Sequence, residues 1–461
     1  MLYQLRRLLF IITLSLLIVT AIVACDYETT STNFAGNMPN SAENQHEPIQ
    51  TPSSQITMPS DRTRLSLGVL HADDLIGLHL VIDEFNRSSR THYVYVIDYS
   101  ALAPNEDFRV AVNLLTTDIL TGRAPDMLSL NRLPFTHYIQ RGLLVDLYPF
   151  IDSDPELGRD ILINNILMAT ETDGRLYRIA PHFQISTIAG SQDILGSYSG
   201  WNLSEFMAVI ENNPEADLPM GPRTSKHSFI TLLIDNLDEF IDFYSGEALF
   251  DNGDFVKLLD FAERYVSDDY WYADFFQQRE FITSGRQIME PSVLGSFIDV
   301  WESGIRFDGE IVFKGFPNSD RSGNRFVFPR TFAITTNAED KDGAWAFLRT
   351  LLTGDFQRMQ FDFAFSVNKS IFQAQLDMAM SRPLNSPWRD LPPDSMFSQE
   401  DADRLMELIN TTTKVTDSHS PQMWYIVGDS VRDFFSGRNT SDDTARIIQS
   451  RALIYLAEQK I

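Results

Sequence analysis

Between Arg64 and Leu130 the hydrophobic period switches from two to three-and-a-half and back in a fixed order, and this restricts the fold more than any other feature of the chain. "RLSLGVLHADD" (64–74) alternates Leu65, Leu67 and Val69 with small or polar residues and breaks at Asp73-Asp74, which reads as a buried strand running into a loop. Leu75, Leu78, Val81, Ile82 and Phe85 then recur at three- and four-residue spacing, the pattern of an amphipathic helix. "HYVYVIDY" (92–99) reads as a second strand, and Phe108, Ala111, Leu115 and Ile119 form the stripe of a second helix that Gly122 ends. "APDMLSL" (124–130) is a third strand, entered through a proline that cannot sit mid-ladder. Strands alternating with helices of this length predict βαβ units and a largely parallel sheet. Sheets of that kind bind ligands at the carboxyl ends of their strands, so the loops at 71–74 and 131–135 become the ones of interest.

Further on, "DGRLYRIAPHFQISTIAG" (173–190) combines a turn at Asp173-Gly174, a short strand, Pro181 and a longer extended run. An extended segment with a proline at its middle suits a crossover between two sheets. In "GWNLSEFMAVIENNP", Asn202 or Ser204 caps a helix that carries Phe206, Val209 and Ile210. "DKDGAWAFLRTLLTG" and "TSDDTARIIQSRALIYLAEQ" are amphipathic helices, the second with Ala445, Ile448, Ala452 and Leu456 on one stripe. No repeat of fixed period occurs.

The amino terminus obeys different rules. Arg6 and Arg7 precede an apolar run over 8–24, the layout of a secretory signal, and the run closes on Ile22-Val23-Ala24-Cys25. That tetrapeptide resembles the lipobox of bacterial lipoproteins, which implies cleavage before Cys25 and acylation of this sole cysteine. The rival reading is an uncleaved membrane anchor, since a run of roughly 17 apolar residues lies at the lower limit for a span. Residues 26–61 carry Thr, Ser, Asn, Gln and Pro with few aliphatic side chains, so they cannot bury enough surface to fold and read as a tether. Residues 62–461 suffice for two or three core-forming units, and with a single cysteine in the chain no disulfide stabilises them. With 37 basic against 63 acidic residues the formal charge is −26, which repels nucleic acid and anionic lipid headgroups and is a common solubility feature of exported proteins.

Taken in order, five segments resemble the family 1, sugar-type extracellular solute-binding proteins of ABC importers. They are "TGRAPDMLSLNRLPFTHYIQRGLLVDLYPFIDSD", "DGRLYRIAPHFQIS", "FITSGRQIMEPSVLGSF", "FVFPRTFAITTNAEDKDGAWAFLRTLLT" and the closing "DFFSGRNTSDDTARIIQSRALIYLAEQ". The resemblance implies an α/β, two-lobed type 2 periplasmic-binding-protein fold, each lobe a mostly parallel sheet flanked by helices and joined to the other by hinge crossovers. It places one lobe at 62–182 plus 289–333 and the other at 183–288 plus 334–461, after a signal at 1–24 and a lipidated Cys25 with its tether at 25–61. It also implies a membrane-anchored extracytoplasmic component that captures a carbohydrate or similar small solute between the lobes and hands it to permease subunits, with no cofactor, metal or nucleic acid. A ligand-presenting sensor and a peptide binder are the alternatives within the fold.

Sugars are held by aromatic faces and by polar side chains that satisfy hydroxyls. Strand ends and crossovers therefore supply the candidate ligand residues: Asp73, Asp74, Asn131, Arg132, His182, Phe183, Glu290, Trp301 and Arg330. Asp73 and Asn131 also suit helix caps, His182 a packing role, and Trp201 a packing role at the start of a helix. Trp271, Tyr272 and Trp301 suit core and cleft equally, while Trp388 and Trp424 fall in segments read as irregular. Where the family carries a tryptophan after the third strand, this chain has Leu130. Motifs for nucleophilic, zinc-dependent and phosphate-binding enzymes are missing, and "DNLDEFID" lacks the central glycine and final glutamate of a calcium loop, so an enzyme such as a polysaccharide-acting hydrolase or lyase is the remote alternative.

Overall fold

A computed structural model describes residues 61–461 apart from 198–199, 235–238, 244, 268–274, 309, 359–363, 386–390, 392–393, 417–420 and 461. The apolar run, Cys25 and the tether, with Trp271, Tyr272 and Trp388, lie outside the described residues. The described strands are β1 (Thr63–Val69), β2 (His92–Asp98), β3 (Met127–Ser129), β4 (His182–Ser191), β5 (Ile241–Asp242), β6 (Glu247–Ala248), β7 (Met289–Leu294), β8 (Ile311–Phe313), β9 (Arg325–Val327), β10 (Phe332–Ile334), β11 (Phe365–Ser366) and β12 (Lys414–Val415).

The switch in period over 64–130 produces the elements it predicts. β1 pairs in parallel with β2 on one side and β3 on the other, and β10 joins β3 antiparallel, giving the order β10-β3-β1-β2. Because successive side chains alternate across a strand, Leu65, Leu67 and Val69 meet Leu78, Ile82 and Phe85 of the helix Leu78–Ser88 on one face. Leu128, Leu130 and Ala333 meet Ala111, Leu115 and Ile119 of the helix Phe108–Leu120 on the opposite face. Parallel strands buried on both faces are what this layering requires.

The second sheet is built around β4. One of its edges pairs with β11 at 182–183 and then with β7 over 185–190, and the other pairs with β9 and then β8, all antiparallel; β12 extends β9 in parallel. This sheet is thus mixed, against the expectation of a mostly parallel one. β7, the helix Phe297–Arg306 and β8 keep the strand–helix–strand rhythm, but β4 lies between the two strands and runs opposite to both. Alternation along β4 divides the interior: Phe183, Ile185 and Ala189 enter one core with Phe326, Trp301 and Phe365, whereas Ile188 enters another with Trp201, Phe206, Phe229 and Phe255. The helices Pro421–Phe435 and Ser441–Lys460 pack on that second core through Met423, Val427, Val431, Ala445 and Ile448.

Strand pairing groups the chain differently from the expected lobe boundaries. β7, β8 and β9 hydrogen-bond to β4, whereas β10 pairs with β3, and the helix Lys341–Leu348 packs on the first sheet, with Phe347 edge-on to Phe85 at 5.3 Å. The switch falls where two crossings run side by side. Ile179 and Phe332 exchange both backbone hydrogen bonds at 2.9 Å, and Gln184 pairs with Val327. Between those points lie 180–183 and 328–331, each with a proline, Pro181 and Pro329, that has no N–H to offer a ladder.

Candidate ligand cleft

After β1 the chain turns through the short 3-10 segment Ala72–Leu75, where the Asp74 N–H donates to the His71 carbonyl at 3.0 Å. After β3, the Asn131 side chain donates to the Pro329 carbonyl at 2.8 Å and reaches Asp74 Oδ1 at 3.5 Å, while its own oxygen accepts the Thr331 N–H at 3.4 Å. Asn131 therefore clamps the ends of β1 and β3 to the crossing at 328–331 and is not a helix cap; the next helix, Phe135–Gln140, begins at Pro134 without a side-chain cap. Burial raises the Asp74 pKa, opposed by the His71 backbone hydrogen bond and the charge of Arg132. Arg132 is exposed, has a left-handed backbone (φ 60°), and holds its guanidinium 5.5 Å from the Phe108 ring centre.

Arg330 is half-buried on the crossing; burial lowers its pKa and Asp74 acts against that. His182, the first residue of β4, is buried with its ring edge-on to Phe356 at 5.2 Å. Burial, aided by the charge of Arg330, brings its pKa down to about 4, so it is neutral at pH 7. Asp74, Asn131, Arg132, Arg330 and His182 thus form one neighbourhood where the strand ends of the first sheet meet the two crossings. The Asp73 side chain lies outside the described residues.

The remaining candidates go elsewhere. Phe183 is fully buried among Phe326, Phe365 and Phe372, because its place next to His182 on a strand turns it to the other face. Glu290 forms an ion pair with Arg306, which also holds Glu302 at 2.9 Å, all three mostly buried on the second sheet. Trp301 is a core residue of the helix Phe297–Arg306. Trp201 is buried, donating to the Gly315 carbonyl at 2.9 Å with its ring edge-on to Phe206. Trp424 stands on the helix Pro421–Phe435 instead of in an irregular segment, and it is 42% exposed.

Close to the strand-end cluster opens a cleft of about 610 Å³. One wall is the helix Phe108–Leu120 with Phe108, Asn113 and Thr116; the other is the pair of C-terminal helices with Tyr425, Arg451 and Tyr455. The first wall belongs to the core of the first sheet and the second wall to the core that receives Ile188 of β4. Phe108, read from its spacing as one of the buried stripe, is half-buried and lines this cleft, with Arg132 over its ring. Tyr425 is 49% exposed and stands edge-on to Trp424 at 5.9 Å. Aromatic side chains on both walls, with amide, hydroxyl and guanidinium groups also in the lining, suit a polar solute that has apolar C–H patches. Arg178 was not anticipated: it is buried near the crossing, its guanidinium 4.0 Å from the Phe135 ring centre and 5.9 Å from that of Phe328.

No family model matches the chain, and no curated protein does. Solved structures do. An ABC substrate-binding protein from Listeria monocytogenes in complex with cycloalternan shares 16% identity, with 86% of this chain and 100% of that chain covered at a TM-score of 0.50. The sugar-binding protein MalE from Xanthomonas citri shares 14% identity over 86% and 98% of the two chains at 0.51. An extracellular solute-binding protein family 1 member from Alicyclobacillus acidocaldarius shares 13% over 86% and 99%, also at 0.51. The chain has the two-lobed fold of the sugar-type, family 1 solute-binding proteins. Likeness at such identities defines the fold; the ligand has to be argued from this chain's own cleft.

Proposed function

We propose that this chain is the extracytoplasmic solute-binding component of an ABC importer and that it captures a carbohydrate in the cleft between Phe108 and Tyr425. The observation that carries this reading is that cleft: aromatic side chains from two separately cored bodies face one space beside a polar cluster at strand ends. Sites at such boundaries bind by closure, which completes contacts from both sides. The fold shared with sugar-binding proteins supports the same assignment. Binding, not catalysis, is the proposed activity, and no cofactor enters it.

Cys25 is the proposed lipid attachment point on the outer face of the cell membrane, and the stretch 26–61 the leash that keeps the binder near permease subunits. Among the described residues no helix is long and apolar enough to cross a membrane. The anchor is tested by labelling cells with a radioactive fatty acid: label on the wild type and none on Cys25→Ser is expected, and label on both removes the assignment. Capture is tested by thermal shift of the full chain in mild detergent with sugars, oligosaccharides and peptides, since a ligand that binds the folded state raises the midpoint with occupancy. A shift with peptides and with no glycan would transfer the function to peptide capture. Presentation of the solute to a membrane receptor in place of a permease is distinguished by whether reconstituted permease subunits take up labelled solute when the protein is added.

A further inference from the structure

Charge is divided unequally between the walls of the cleft. Among the described residues of its lining, the helix Phe108–Leu120 contributes one charged side chain, Arg109, whereas the two C-terminal helices contribute Asp429, Arg451 and Glu458. Each set occupies one helical face. Positions 109, 113 and 116 on the first wall, and 422, 425, 426 and 429 with 451, 454, 455 and 458 on the second, follow the three- and four-residue spacing of neighbours along a helix.

The contacts these groups already make set two of them apart. Asp429 holds Arg432 at 2.9 Å, and Arg451 donates to Ser430, the residue after Asp429, at 3.3 Å, so cations accompany that carboxylate on its own wall. Glu458 lies two turns beyond Arg451, about 10 Å along the helix, and among the described residues it forms no ion pair. On the other wall Arg109 is exposed, with its guanidinium 3.8 Å from Asp107 and so beyond hydrogen-bond reach. Asp107 is engaged in capping its helix, where it accepts the Arg109 and Val110 N–H groups at 2.9 and 3.4 Å. A guanidinium and a carboxylate, both open to water, thus border one gap from two separately cored bodies.

We infer that Arg109 and Glu458 form a latch: they pair across the cleft when its walls draw together, and the pair biases the molecule towards the closed state before any solute arrives. This rests on the reading given above of this space as a cleft that closes. The pair is near only in the closed state, so it shifts the open–closed equilibrium by what it contributes there. Because both groups are exposed, the pair is screened by salt and changes the ratio of closed to open molecules by about one-and-a-half- to fivefold. Locking one state would take roughly a ten-thousandfold bias, so the cleft still opens to admit and release its solute.

The test reads distance across the cleft with no solute present. Spin labels are placed at Leu114→Cys and Leu453→Cys, exposed positions on the helices of the two walls and outside the lining. The full chain in mild detergent carries Cys25→Ser, so that only the introduced thiols react, and double electron–electron resonance gives the distances. The short-distance fraction should fall as salt rises. Arg109→Glu or Glu458→Arg alone sets like charges against each other, and each should lower the closed-to-open ratio by about two- to thirtyfold, since repulsion costs about what attraction gains. Together they restore the pair with its polarity exchanged, and the ratio should return to that of the parent. Both residues are exposed, so the variants keep the fold, which an unchanged urea midpoint checks. A double variant as open as either single one, or distances indifferent to salt and to both charges, overturns the latch. Rescue of Arg109→Glu by Asp429→Arg and not by Glu458→Arg overturns the choice of partner. Latch and capture fail separately: a thermal shift with saccharides and no response of the distances leaves capture standing alone, and the expected distances with no saccharide bound leave the latch standing alone.

Discussion

His182 makes the fold sensitive to acid in a way that can be separated from the titration of the many carboxylates. Its ring is buried against Phe356, and its pKa is brought from 6.5 to about 4 by burial first and the Arg330 charge second. In the unfolded chain the imidazole takes up a proton near pH 6.5, whereas in the folded chain it does so only near pH 4. Between those values the unfolded state binds more protons, so stability is complete above about pH 6.5 and is lost as pH falls towards 4. At about 1.4 kcal/mol per pH unit, the loss between pH 7.5 and 4.5 is about 2.5 kcal/mol. The perturbation is His182→Leu, which keeps a buried side chain of similar size and cannot titrate. Urea unfolding of the full chain in mild detergent, monitored by tryptophan fluorescence at the two pH values, gives the difference of differences. Titration of the carboxylates cancels, and the wild type should lose about 2–3 kcal/mol more than the variant. Arg330→Gln in the wild-type background should shrink that gap, because a cation that disfavours imidazolium has gone. Equal losses in wild type and His182→Leu would refute the reasoning, and so would a larger loss in the variant.

Phe183→Ala should cost about 3–5 kcal/mol, the range for emptying a fully buried phenylalanine site, with ligand affinity of the folded protein unchanged; reduced affinity at unchanged stability would place Phe183 in the site after all. Arg306→Ala leaves Glu290 and Glu302 mostly buried without their shared cation, and a shift of the urea midpoint equivalent to about 3–5 kcal/mol is expected, again with ligand affinity retained. Tyr425→Ala and Phe108→Ala should each weaken saccharide binding about tenfold by calorimetry, with a stability cost under about 1 kcal/mol for the more exposed Tyr425; unchanged affinity in both would move the site away from this cleft. Gly315 has φ 74°, and a Cβ there would fall 2.0 Å from the Gly323 carbonyl carbon, so Gly315→Ala should lower the thermal midpoint sharply. Gly142 also has a positive φ, but a Cβ there meets nothing within 4 Å, so Gly142→Ala should show only the smaller cost of a left-handed backbone, about 1–2 kcal/mol.

The local half of this protein was legible because side-chain period is a property of the chain alone. Leu65, Leu67 and Val69 announce a strand, and Leu78, Ile82 and Phe85 a helix, whatever they later pack against. The same logic placed Asp74, Asn131 and Arg132 at the carboxyl ends of parallel strands, where the folded chain brings them together with Arg330. Period also says that His182 and Phe183 cannot face the same way, but it does not say which of them turns to the core. That choice was made by the phenylalanines at 326, 365 and 372, which arrive from segments far along the chain. Tertiary structure likewise decided that β7, β8 and β9 join β4, that Glu290 meets Arg306, and that Phe108 on a first-sheet helix faces Tyr425 from the far end of the sequence. Each of these is a pairing between groups with no sequence proximity to signal it, and each is settled by which surfaces bury the most apolar area when the whole chain is closed.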